Sequence, residues 1–145
     1  MTVWLVVSIL ALILSPLAWL RPSRKQSRQM DLRLAARRAG LAMQLAPQAW
    51  PHWLDKQPPS PCPQYHCARR AGRTDTWSYW QVSPGVWWNQ WREVCTEPGL
   101  LAVFNGLPES VYKVEADAQM LAIYWGERGD EAVLDTLKQA LKTLA

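Results

Sequence analysis

The stretch Ser110–Ala145, "SVYKVEADAQMLAIYWGERGDEAVLDTLKQALKTLA", carries two hydrophobic periods, and the change from one to the other decides the fold. From Ser110 to Trp125, β-branched and aromatic residues read as two strands that reverse around Asp117-Ala118-Gln119. From Gly129 onward the repeat becomes helical: Val133, Leu134, Leu137, Leu141 and Leu144 form one apolar face. Asp130 and Glu131 favour the positive end of that helix dipole, and Lys138 and Lys142 fall toward the other end. A hairpin followed by an amphipathic helix predicts an α+β domain with helices packed on one face of an antiparallel sheet.

Working outward, "QYHCARR", "TWSYWQV" and "GVWWNQW" have the aromatic and β-branched content of a small antiparallel meander, with turn signals at "AGRTD" and "SPG". After Glu97-Pro98-Gly99, "LLAVFNG" reads as a short helix or turn. The segment 47–63, "PQAWPHWLDKQPPSPCP", is too rich in proline for a continuous helix or a central strand, and is expected to be a long, stiff loop. Before it, "LAMQLA" reads as a short strand with Leu41, Met43 and Leu45 on one face. "RQMDLRLAARRAG" reads as a helix capped by Ser23 or Ser27 and closed at Gly40.

The first twenty residues, "MTVWLVVSILALILSPLAWL", have no ionisable side chain. At ~1.5 Å per residue a helix of that length matches a hydrocarbon layer of ~30 Å, so residues 1–20 are expected to be a transmembrane helix, with Trp4 and Trp19 as interfacial aromatics. A cleaved signal peptide fits less well, because Lys and Arg are missing ahead of the apolar run and "SPLAWLRP" has no A-x-A site. Arg21, Arg24, Lys25 and Arg28 follow the span, and basic residues beside a span stay on the cytoplasmic side and contact anionic lipid. The expected organisation is a single-pass bacterial inner-membrane protein with its N-terminus out. Residues 1–20 span, 21–40 form a basic juxtamembrane helix, and 41–145 form a cytoplasmic α+β domain.

The uncharged span followed at once by "RPSRKQ" and a basic, polar helix resembles the YajC family, small accessory subunits of the bacterial Sec translocon, over about residues 1–35. The Gly-rich "KGDEV…GG" strand and turn of that family has no counterpart further along this chain. The resemblance therefore implies anchoring and inner-membrane residence more than a particular role.

Charge narrows the partners. The net charge of +4 is concentrated in residues 21–40, where seven Lys/Arg stand against Asp31 alone, while residues 41–145 are slightly acidic. A domain that binds nucleic acid carries its own basic face, so no nucleic-acid partner is expected. Trp77, Trp80, Trp87, Trp88 and Trp91 lie within fifteen residues. Sheet packing, a surface for a protein partner or the bilayer interface, and an aromatic ligand cage compete to explain them. Adjacent strand residues point to opposite faces, so Trp87 and Trp88 cannot both be on the core side.

Cys62, His66, Cys67 and Cys95 supply soft ligands for a possible Cys₃His zinc site, but C-x₄-C is not the usual C-x₂-C knuckle, and ordinary half-buried cysteines are the expectation. An odd cysteine count fits a reducing compartment. There is no G-x-S-x-G, no phosphate loop, and only Asp55 near the histidines His52 and His66. The chain is thus read as a non-catalytic, membrane-anchored adaptor or accessory protein without a cofactor, with lipid and a protein of an inner-membrane complex as partners. The alternative is a tethered metal- or ligand-binding sensor using the Cys/His cluster or the Trp-rich sheet.

Overall fold

The computed structural model describes residues 1–19, 24–54 and 57–145, excluding the side chains of residues 17–19 and 25. The chain divides into two compact units, Met1–Asp31 and Leu32–Ala145. The first unit holds α1 (Thr2–Trp19) and the beginning of α2 (Arg24–Arg38), which continues into the second.

Helix α1 has no charged residue in its terminal turns and contains Pro16, and the Ser8 hydroxyl donates to the Trp4 carbonyl at 2.8 Å. The expected transmembrane helix over 1–20 is corrected here. Among the described residues no helix is long and apolar enough to cross a membrane. The 18 residues of α1, at ~1.5 Å each, reach about 27 Å, short of a hydrocarbon layer of ~30 Å, and Pro16 removes a backbone donor in the last turn. With the span go the expected single-pass topology, the N-out orientation and the inner-membrane, cytoplasmic-side placement that rested on it.

The second unit is the expected α+β arrangement. Strands β1 (Ala42–Ala46), β2 (Cys62–Ala68), β3 (Trp77–Ser83), β4 (Val86–Trp88), β5 (Val111–Ala116) and β6 (Met120–Trp125) form one sheet in the order β1-β2-β6-β5-β3-β4. Every pairing is antiparallel. The hairpin read from sequence forms as expected: Asp117 turns β5 into β6, its carboxylate accepting from the Gln119 and Met120 amides at 2.7 and 2.6 Å. Helix α3 (Pro98–Phe104) is the short helix after Glu97, and α4 (Glu131–Leu144) is the amphipathic one.

Asp130 caps α4 by accepting from the Ala132 and Val133 amides, and Leu134, Leu137, Ala140, Leu141 and Leu144 bury its apolar face. Beneath the helices lie Tyr65, Trp87, Val114, Leu121, Ile123 and Trp125, packed with Phe104 of α3 and with Leu32 and Ala36 from the second half of α2. Gly40 closes α2 at φ +85, a conformation that glycine adopts without a Cβ clash. Gly129, at φ +125, lets the chain enter α4 where a Cβ would meet Val133 Cγ2 at 2.6 Å.

A buried ion pair fixes α2 within this unit. Glu127, at φ 55 in the β6–α4 connection, has a fully buried carboxylate that accepts two bonds from Arg33 and one from the Tyr65 hydroxyl, all at 2.7 Å. The bidentate geometry offsets the cost of removing the carboxylate from water.

Candidate functional site

Alternation in the strands sends Tyr65, Val114 and Ile123 to the helix side and Gln64, Lys113, Glu115 and Tyr124 to the other. That second face is roofed by the proline-rich loop. Trp50 stands edge-on to Tyr112 and Tyr124, with ring centroids 6.2 and 6.1 Å away, and Trp53 covers Trp80 and Trp88 at 5.8 and 6.0 Å. Each proline fixes its own φ, which lowers the entropy the loop loses when its two indoles settle on the sheet.

Under this roof Lys113 is only 7% exposed. Its ammonium lies 4.8 Å from the centre of the Trp80 ring and 5.1 Å from that of Tyr124, 3.3 Å from a Glu115 carboxylate oxygen and 3.4 Å from the Gln48 amide oxygen. The network continues through the Tyr124 hydroxyl, which donates to Glu115 at 3.2 Å and accepts from Gln64 at 2.7 Å, while Gln44 donates to Gln64 at 2.6 Å. Burial, and then the neighbouring Glu115 carboxylate, push the Tyr124 hydroxyl up to about 12. The lysine fills the aromatic box itself, so the box is a packed structural element with no space for an external cation.

The tryptophans read as one candidate surface are divided among three environments. Trp87 is buried in the helix-side core against Phe104, with ring centroids at 4.8 Å, and Trp77 packs half-buried on the same phenylalanine at 5.9 Å. Trp80 and Trp88 lie under the loop, and Trp91 is 69% exposed. Opposite faces for Trp87 and Trp88 follow from strand parity, as the sequence required.

The Cys/His set is dispersed. Cys62 and His66 lie on the roofed face of β2 and Cys67 on its helix side, while Cys95 follows β4 at the far end of the sheet. All three cysteines are free, and among the described residues no group of three or more His, Cys, Asp or Glu side chains could hold a metal ion. Burial, and then the Glu127 charge, push the Cys62 thiol up to about 12, so it is a poor nucleophile. His52 is exposed, its Nε2 3.4 Å from Arg92; Asp55, its sequence neighbour, lies outside the described residues.

Of the residues read as membrane contacts, Arg24, Arg28 and Trp4 are exposed. Arg21 and the side chains of Trp19 and Lys25 lie outside the described residues. The side chains of residues 1–16 are exposed throughout, Trp4 at 77% and Leu12 at 73%. None of these sixteen side chains is charged.

Sequence reading passed over Lys113, Glu115, Tyr124, Trp50 and Trp53. The spacing of Lys113 and Glu115 in "YKVEA" does place them on one face, but such a pair ordinarily marks a solvated edge. The covering loop makes it an interior. The chain matches no family model, no curated protein and no solved structure.

Proposed function

We propose that the chain is a non-catalytic adaptor or accessory protein, in which α1 is the attachment element and the second unit is the folded recognition body. The observation that carries this reading is the uncharged surface of α1, exposed at every described side chain from Thr2 to Pro16. Apolar helices with this much exposed surface are taken up by a partner of matching chemistry, because each large side chain withdrawn from water contributes ~1.5–3 kcal/mol. The resemblance of residues 1–35 to accessory subunits supports the same class. The packed, self-filled face around Lys113 and the dispersed Cys/His groups favour a binding body over a reaction centre.

Site-specific photocrosslinking in cells tests the proposal. A photoreactive residue at Leu5 or Leu12 is expected to give one discrete protein adduct, and the same group at Asp135 on the exposed side of α4 is expected to give none of that mass. Absence of any adduct from α1 overturns the reading. Flotation of the purified chain with phosphatidylethanolamine–phosphatidylglycerol vesicles, with no protein adduct in cells, replaces the protein partner with lipid.

A further inference from the structure

The two edges of the sheet are finished differently. At β4 the exposed side is closed: the strand has three residues, Trp88 bridges to Val94, and the Cys95 amide donates to the Trp87 carbonyl at 3.0 Å. The pairing of β3 with β4 is also irregular between Gln81 and Ser83, a further device that discourages addition of another strand. At β1 none of this is found. Its five residues pair regularly with β2, from Ala42 opposite His66 to Ala46 opposite Cys62. Among the described residues the backbone groups of Met43, Gln44 and Leu45 bond only within that ladder. No charged side chain occurs from Leu41 to Trp50, and Leu45 is 53% exposed. An uncharged, regular edge with unused amides and carbonyls is a template for another strand.

We propose that this edge pairs with β1 of a second copy of the chain, antiparallel about a twofold axis through Gln44. The sequence "AMQLA" is self-complementary in that register. Gln44 meets its own copy, Met43 meets Leu45 on the helix side twice over, and Ala42 meets Ala46. No like charges face one another, each of the two Met-Leu pairs covers an exposed leucine, and the isologous contact closes at two copies. Placing Gln44 on the axis satisfies the pairing rule whichever alternate residues direct their amides outward. The sheet would then run continuously through twelve strands, six from each copy.

Cysteine pairing in the full-length chain tests the register. Residues on the axis face each other at ~4.5–5.5 Å between Cα atoms, within disulfide reach, whereas Ala46 and its copy are displaced by four residues, roughly 13 Å along the strands. Because Cys62 stands opposite Ala46 within the chain, the variants are made with Cys62, Cys67 and Cys95 replaced by alanine; under mild oxidation Gln44→Cys is then expected to give a covalent dimer and Ala46→Cys a monomer. Because Gln44 also bonds Gln64, a second arm leaves it intact: Ala42→Cys and Ala46→Cys are expected to crosslink when mixed and not when alone. Gln44→Lys sets like charges on the axis and is expected to weaken dimerisation about fivefold, with recovery on mixing with Gln44→Glu. Association through α1 would not distinguish these positions. Equal crosslinking at all positions, or none in the mixture, overturns the proposal.

Discussion

At the scale of single residues, two of the charged groups that the second unit keeps from water, Glu127 and Lys113, are held in different ways, and the difference predicts how each responds to substitution. Glu127 is wholly buried and its charge is answered by Arg33, whose side chain is 35% exposed, and by Tyr65. Glu127→Gln keeps the shape but breaks the pair. Removing one partner of a buried pair costs ~3–5 kcal/mol, and the exposure of Arg33 reduces this to about 2 kcal/mol, to be read from the urea midpoint. Lys113 is held mainly by its surroundings, with two rings and a Gln48 oxygen besides Glu115, whose side chain is 37% exposed and can turn to solvent. Lys113→Met preserves the stem between Trp80 and Tyr124 and is expected to change stability by less than about 1 kcal/mol, whereas Lys113→Ala leaves a void and costs about 2 kcal/mol. If Met costs as much as Ala, the charge and not the packing is what the face requires.

Among the elements, the proline-rich loop carries more of the architecture than its composition suggests. It supplies the cover for a sheet face that would otherwise expose Trp80, Trp88 and Tyr124, through Trp50 and Trp53. Trp53→Ala is expected to raise the acrylamide quenching of the remaining indoles and to cost about 2 kcal/mol, less than truncation of a fully buried Trp because Trp53 is itself half-buried. An unchanged quenching profile would mean that the loop does not seal the face. This also marks the limit of what the residues alone could reveal. Strands and helices were legible because each is written in a local period: "YKVEA" and "MLAIY" alternate, and α4 repeats every three or four residues. Asp117 and Gly40 announced a turn and a cap by local chemistry, while Asp130 was legible only as an acid suited to the start of α4 and its capping bonds were not. The opposite orientation of Trp87 and Trp88 was legible from parity, but which indole was core depended on where α3 and α4 landed. The Lys113 network was not legible, since its roof comes from residues about sixty positions earlier and no local pattern encodes that approach. The apolar run at the N-terminus was over-read for the opposite reason. Composition alone suggested a span, while the described helix stops at Trp19 and contains Pro16.

For the molecule as a whole, the buried face and core contain several groups that fold in their neutral form, and together they set the alkaline limit of stability. Burial, the largest influence in each case, pushes the Cys62 thiol and the Tyr124 and Tyr79 hydroxyls up to about 12. Tyr65 is raised as well, by burial first and then by its bond to Glu127. In the unfolded chain a thiol ionises near ~8.5 and a phenol near ~10, so between those values and about 12 the unfolded state loses protons that the folded state retains. Raised values favour the protonated form in the fold. Their contribution is therefore complete below the unfolded values and is lost as pH rises toward the folded ones. The urea midpoint of the second unit, followed by tryptophan fluorescence with reductant present, is expected to show no loss from these groups between pH 7 and about 8 and to fall above about 9. Cys62 alone supplies a slope approaching ~1.4 kcal/mol per pH unit before the phenols join it. Cys62→Ala separates the contributions: the decline between about pH 9 and 10 should shrink markedly, while the steeper tyrosine-driven loss above about 10 remains. A wild-type midpoint that holds steady to pH 11 would mean that these groups meet solvent in the folded chain, and the sealed face and core described above would have to be opened.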